Sequence, residues 1–187
     1  MLYRRDFLLT SLVAFNAGPV LAADPWQALA NRTVFVLMRH AIAPGTGDPQ
    51  GMRIGDCSTQ RNLSAEGRAQ ARRIGALFRE KGIGAAAIYS SEWCRCLDTA
   101  RLLELGPVSP QPLLNSFFGK PEDGAGQTEA LSAWLRKRRT DLPLLLVTHQ
   151  VNITGLTSIV PSSGELVFVS MDAAGAISVI GRQSAGA

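Results

Sequence analysis

The chain has 187 residues, 46% of them hydrophobic, and carries 19 Lys and Arg against 15 Asp and Glu for a formal net charge of +4. That length supports one domain with a proper core, and the mild basic excess suits an anionic substrate. It argues against nucleic acid, because no basic tract is interleaved with aromatics.

Residues 1–23 read as a leader rather than as part of the fold. Arg4-Arg5 is followed by an apolar stretch through Leu21 that ends in the small residues Ala22 and Ala23, which suit a signal-peptidase site. A stable membrane span needs about 20 apolar residues, and Asn16, Gly18 and Pro19 interrupt this one. The pattern resembles a bacterial twin-arginine signal. It implies passage through the Tat export machinery and a periplasmic enzyme, with residues 24–187 forming a single domain. Removing the leader takes away two arginines and one aspartate, so the net charge falls from +4 to +3.

A polar linker containing Trp26 precedes the first strand, which spans roughly Thr33 to Met38. Residues 41–60, rich in Gly, Pro and Asp, form a long irregular loop leaving its carboxyl end; such loops inside compact domains are usually functional. Ser64 is the N-cap of a helix with apolar positions Ala71, Ile74 and Leu77-Phe78, stopped by Gly82. Residues 85–89 make a second strand, and Ser90-Ser91 turns into a second helix running to Leu105. A short extended piece near Leu113 and a loop with Phe117-Phe118 lead to a third helix, 127–138. The basic run Arg136-Lys137-Arg138-Arg139 closes that helix and complements its dipole. Residues 144–147 form the third core strand, a helix begins near Gln150, and strands at 165–170 and 176–180 make a hairpin through Ala174-Gly175. The alternation of elements predicts an α/β fold, a mostly parallel central sheet with helices on both faces.

The chemistry is marked by the only two histidines, His40 and His149, each of which ends an apolar, β-branched run. Such runs read as strands buried on both faces, and ligands bind at the carboxyl ends of strands in open α/β sheets. Arg39 adjoins His40 and offers a planar fork matched to phosphate oxygens. A neutral imidazole beside it is a competent nucleophile once its other nitrogen is fixed by a hydrogen bond. Arg95, one turn into the second helix, can reach the same pocket, although Asp98 or Glu92 could hold it in a surface pair instead. Gln150 opens a helix whose free N–H groups favour anions. Arg53 and Arg61 are candidates for binding a second anionic part of the substrate. Trp93 and Trp134 read as core packing.

Arg39-His40, the Leu63-Ser-x-x-Gly-x-x-Gln-Ala71 segment, the Ser90-Ser-x-x-x-Arg-x-x-x-Thr-Ala100 pattern and the strand ending in His149 together resemble the histidine phosphatase superfamily. The absence of His-Asp or His-Ala-Glu at 149–151 is similar to its small, phosphoglycerate-mutase-like branch. The resemblance implies a three-layer α/β sandwich and a phosphoric monoester hydrolase that works through a phosphohistidine on His40. Arg39, Arg95 and His149 then surround the phosphoryl group, and no metal or cofactor is needed.

Three features depart from or extend the family pattern. Ala41 stands where glycine usually follows the first histidine. No acid occupies Leu114-Asn115-Ser116-Phe117, where many members carry one for the leaving group, which leaves Asp48, Asp56 and Glu165 as possible general acids. The loop through Gly55–Asn62 and the Asn115–Phe118 segment are loosely similar to an exported group that includes a phosphatase of lipopolysaccharide core heptose. A periplasmic sugar phosphatase is therefore the first functional expectation. A protein phosphohistidine phosphatase, whose leaving nitrogen needs no acid, and a non-catalytic phosphate-binding relative are the alternatives. In an oxidising compartment Cys57 can bridge Cys94 or Cys96; the latter two are too close in a helix to bridge each other.

Overall fold

A computed structural model describes residues 24–184, so the expected leader at 1–23 lies outside the described residues. Six strands form one sheet in the order β3-β2-β4-β1-β5-β6, where β1 is Phe35–Arg39, β2 Ala87–Ser90, β3 Val108–Pro110, β4 Leu144–Thr148, β5 Leu166–Met171 and β6 Ile177–Gln183. The first four strands in that order run parallel, whereas β5 and β6 are antiparallel to their neighbours. The helices are α1 (Pro25–Ala30), α2 (Ala65–Glu80), α3 (Cys94–Leu102), α4 (Gly124–Lys137) and α5 (Gln150–Thr157).

Strand periodicity divides the core in two. Val36 and Met38 of β1 face one side with Ile74 and Phe78 of α2 and Ala100 of α3. Phe35 and Leu37 face the other with Leu131 and Leu135 of α4 and Ile153 of α5. Successive side chains of a strand point to opposite faces, so a continuous apolar run is what a sheet covered on both sides requires. The expected three-layer α/β architecture is what forms.

Several local expectations are corrected. The segment before β1 is a helix rather than a linker: Asp24 caps it by accepting from the Trp26 amide, and Pro25 starts it. Trp26 is buried edge-on against Phe78 and Phe168. The extended piece expected near Leu113 lies earlier, as β3, and Pro112–Leu114 is a 3-10 turn. The second helix is shorter than expected, starting at Cys94 rather than at the serines. Beyond the end of α4, the Arg138 guanidinium stacks over the Tyr89 ring at 4.5 Å, and Arg139 donates to the carbonyls of Arg136 and Arg138.

The Leu63–Ala71 segment has a structural purpose: α2 holds the backbone that follows His40. Ser64 Oγ caps the helix by accepting from the Gly67 amide, and Gln70 Oε1 accepts from the Ile42 amide at 3.1 Å. Gly67 lies so close to that backbone that a Cβ there would sit 2.0 Å from the Ile42 carbonyl oxygen. The loop that follows is pinned to α3 by the disulfide Cys57–Cys94, which closes a span of 37 residues, while Cys96 stays free and buried.

Gly67→Ala is expected to be net destabilising. The clash with fixed backbone costs about 1–3 kcal/mol, more than the gain of about 1 kcal/mol from helix propensity; chemical denaturation with unchanged or raised stability would contradict the close approach. Replacing Cys57 and Cys94 together by serine is expected to cost about 2–4 kcal/mol. Superimposable wild-type denaturation curves with and without reductant would show that the bond does not form in solution.

Candidate active site

The parallel pairing of β1 and β4 sets Arg39 opposite Thr148, so the next residues, His40 and His149, leave the sheet side by side. The His40 amide donates to the Thr148 carbonyl at 2.9 Å, and the ring centroids stand 5.5 Å apart. On the other flank of β4, Ser90 pairs with Val147, which brings Ser91 beside His149. Both histidines are buried.

His40 Nδ1 lies 2.8 Å from the carbonyl oxygen of Ala41. A carbonyl only accepts, so Nδ1 carries the hydrogen and Nε2 keeps its lone pair. Burial lowers the His40 pKa to about 3, against the raising effect of the Ala41 bond and with the help of the positive charges of Arg95, Arg39 and Arg61. The ring is therefore a neutral base with one free nitrogen. Ala41 in place of glycine needs no special backbone, since it does not have positive φ; its amide donates to Thr99 Oγ1 at 3.0 Å.

His149 is fixed by a chain of hydrogen bonds. Its Nε2 is 2.8 Å from Ser91 Oγ, and Ser91 Oγ donates to Asn115 Oδ1 at 3.1 Å. Asn115 Oδ1 also accepts from the Glu92 amide, while its Nδ2 donates to Glu92 Oε2. With the serine hydrogen committed to Asn115, the network assigns the proton of neutral His149 to Nε2. Its Nδ1 is the nitrogen 3.4 Å from Arg95 Nη2. Burial first, then the neighbouring His40 and Arg95, lower the His149 pKa well below its ordinary value.

Arg95 is buried, and both terminal nitrogens bond to Asp48, Nη1 to Oδ1 at 2.7 Å and Nη2 to Oδ2 at 3.0 Å. The surface pair with Asp98 weighed as an alternative is not formed; Asp98 binds Arg68 at 3.0 Å. Arg39 is half-buried and donates through Nη1 to the Pro161 carbonyl at 2.9 Å. The buried Nε atoms of both Arg39 and Arg95 have no hydrogen-bond partner among the described residues. Unused donors on two buried or half-buried guanidiniums, sharing one cavity with two neutral imidazoles, form a site that favours an anion.

These groups line a cavity of about 890 Å³. Arg39, His40, Arg95, His149, Arg61 and Gln150 are all on its wall, as is Asp48. Three other residues named from sequence are not brought to it. Arg53 pairs with Asp56 at 2.6 Å on the surface, and the Ser58 hydroxyl, then Arg53, hold the Asp56 carboxyl low. Glu165 accepts from Arg182 at 2.6 Å and from the Ser162 amide at 2.7 Å. Burial would raise its pKa, but these bonds outweigh it. Neither carboxyl is placed to protonate a leaving group in the cavity.

The sequence reading missed three contributors. Trp93 packs in the core as expected, but it also lines the cavity, edge-on to His149 at 5.4 Å, with its indole N–H on Asp48. Ser91 and Asn115 orient His149, and only the Ser-Ser pattern pointed to either. Phe117 and Phe118 divide: Phe118 is on the cavity wall, and Phe117 packs against Gly124. No group of three or more His, Cys, Asp or Glu among the described residues could hold a metal ion.

The sequence profile of the histidine phosphatase superfamily (branch 1) matches residues 35–143, more than half of the chain and a stretch containing Arg39, His40 and Arg95. No curated protein matches significantly in sequence. Solved structures with the same fold include the protein histidine phosphatase SixA complexed with tungstate, at 16% identity and TM-score 0.60, covering 81% of this chain and 97% of that one. A phosphoserine phosphatase mutant from Entamoeba histolytica in complex with phosphoserine is similar at 15% identity and TM-score 0.57, with 81% and 97% covered. The mycobacterial glucosyl-3-phosphoglycerate phosphatase Rv2419c follows at 17% identity and TM-score 0.53, with 79% and 96% covered. At such identities these likenesses speak for the fold alone. The matched profile and the two arginines and two histidines gathered at the carboxyl end of the sheet place the chain among the phosphatases of the histidine phosphatase superfamily, branch 1.

Proposed function

We propose that the protein hydrolyses the phosphomonoester of a sugar-like small molecule or glycan through a phosphohistidine on His40. The observation that carries this reading is the His40 ring, neutral and held by Ala41 so that Nε2 alone has a lone pair. Nε2 attacks phosphorus, the bond from phosphorus to the leaving oxygen breaks, and the leaving oxygen takes a proton from solvent at the open side of the cavity. Water then attacks the phosphohistidine, the N–P bond breaks, and inorganic phosphate leaves with the Nε2 lone pair restored. Arg39 and Arg95 match the charge on the transferring group. His149, beside Arg95 through Nδ1, completes the wall around the phosphoryl group.

The rest of the cavity supports a substrate larger than phosphate itself. Trp93, Met52 and Phe118 present apolar faces, while Ser116, Gln150 and Lys120 supply polar contacts, a mixture that suits the two sides of a sugar ring. Export to the periplasm is part of the proposal. The twin-arginine leader supports it, and so does the Cys57–Cys94 bond, since disulfides persist in oxidising compartments.

A second reading, hydrolysis of protein phosphohistidine, is favoured by one feature. The carboxylate on the cavity wall among the described residues, Asp48, is engaged by Arg95, and a departing imidazole requires no acid. A screen of the protein purified from residue 24 onward decides between the two. Turnover of sugar phosphates without added metal, and none of phosphohistidine protein, supports the first; the reverse supports the second. His40→Ala is expected to abolish turnover and the acid-labile, base-stable phosphoenzyme trapped on rapid quenching, and turnover surviving in that variant would end both.

Because the chain has two histidines, imidazole NMR reads the site directly. Both pKa values are lowered, so neither ring is expected to gain a proton between pH 8 and pH 5, with His40 in the Nδ1–H form and His149 in the Nε2–H form. In the unfolded chain both protonate near pH 6.5. The unfolded state thus binds more protons below that value, and stability is expected to fall as pH drops from about 6.5 towards 3. A ring titrating near 6.5 in the folded protein would contradict the burial argument.

A further inference from the structure

We infer that Asp48 is a positioning residue for catalysis, holding the Arg95 guanidinium by its outer edge so that its inner edge faces the transferring phosphoryl group. The inference rests on the proposed role of Arg95 as a phosphoryl ligand. It assigns to Asp48 neither of the roles its place on the cavity wall invites, proton donor or occupant of the anion site.

The geometry favours this reading on three counts. First, a guanidinium has five N–H groups arranged around a plane, and Asp48 takes the edge formed by Nη1 and Nη2. Nε remains buried and unpartnered among the described residues, and Nη2 still lies 3.4 Å from His149 Nδ1. One edge is therefore spent on Asp48, Nη2 adjoins His149, and Nε is left unspent.

Second, the carboxylate is built into its place. Besides Arg95, it accepts from the Trp93 indole at 3.0 Å and from the Arg61 amide at 3.2 Å, so its oxygens are filled by groups on α3, on the turn before it and on the loop. Burial would raise its pKa, but the Arg95 fork, the indole and the Arg61 amide outweigh that and keep the carboxyl ionised. An ionised carboxylate has no proton to give.

Third, the surrounding loop is fastened as if to hold this contact. Arg61 donates through Nε to the Gly47 carbonyl at 2.6 Å and through Nη1 to that of Ala43. Gln60 Oε1 accepts from the Cys94 amide at 2.9 Å, next to Arg95. The Cys57–Cys94 disulfide ties the same loop to the first residue of α3. Every fastening ends within one or two residues of Asp48 or Arg95, or encloses the loop between them.

The test compares the mature wild type with Asp48→Asn, which keeps the shape and removes the charge, and Asp48→Ala as a second variant, each checked by thermal melting. Two properties are measured: affinity for orthovanadate by titration calorimetry, and kcat/KM for p-nitrophenyl phosphate and for an alkyl phosphate. Misplacement of a clamping group costs about 10²-fold. We expect kcat/KM to fall by about that factor on both substrates alike, and orthovanadate affinity to fall with it. In the Arg95→Ala background the further cost of Asp48→Asn is expected to be less than about threefold, because a residue acting through Arg95 has nothing left to position.

Three results would overturn the inference: tighter orthovanadate binding in Asp48→Asn, which would make the carboxylate a competitor for the anion; a loss confined to the alkyl phosphate with affinity kept, which would make it a proton donor; or an undiminished cost in the Arg95→Ala background. A wild type that binds orthovanadate yet hydrolyses no ester ends the hydrolysis reading alone, and the affinity comparison still decides the role of Asp48.

Discussion

The structure depends on the register between β1 and β4. Because Arg39 pairs with Thr148, the residues that follow emerge at the same height, and two histidines separated by more than a hundred positions become neighbours. A slip of one residue would move every side chain of a strand to the other face. Here that would exchange Val36 and Met38 with Phe35 and Leu37 between the two halves of the core. The packing of the two layers therefore protects the geometry of the site. Moving His40 relative to His149 means repacking both layers at once with side chains of the wrong size, and the site inherits its precision from packing elsewhere in the molecule.

That placement decides the electrostatics. Four cationic side chains, Arg39, Arg61, Arg95 and Lys120, line one cavity with a single carboxylate among the described residues. Within it both imidazoles stay neutral, since burial and positive neighbours disfavour a further charge. The two effects serve one chemistry. In the proposed reaction the arginines that attract the phosphoryl group also help burial to keep the His40 ring deprotonated, so one set of charges serves binding and activation. Cys96 lies 3.5 Å from His149 Nε2, yet burial pushes its thiol up to about 12, and it takes no part as a thiolate.

The parts legible in the sequence were those with a local signature. Two histidines at the ends of apolar runs, an arginine beside one of them, and the Ser64 cap are written in consecutive residues. What could not be read joins positions far apart through loops without periodicity. Nothing near Asp48 announces that Arg95, 47 residues on, will take its carboxylate; Asp98, one turn away on the same helix, offered a nearer and plausible partner. Asn115 stands out in sequence as a missing acid and as the start of a segment similar to an exported group, and neither signal shows that its side chain is the hub that orients Ser91 and so His149. Trp26 was obscured for another reason. A helix of six residues is too short to show a 3.6-residue period, and its stability comes from tertiary packing on Phe78 and Phe168.

The long loop between β1 and α2 then gains a physical explanation. A clamp of arginines around an anion is self-repelling when the anion is absent, and Arg95 is buried in the same cavity as Arg39 and Arg61. A carboxylate placed on the Nη1–Nη2 edge of Arg95 offsets that repulsion and leaves Nε free. The carboxylate must come from outside the sheet, because the strand ends are already taken by histidines and serines. A loop able to deliver it needs its own fastenings, and the disulfide, Gln60 and Arg61 supply them. The long irregular segment is thus also a piece of scaffold that brings one carboxylate to one guanidinium.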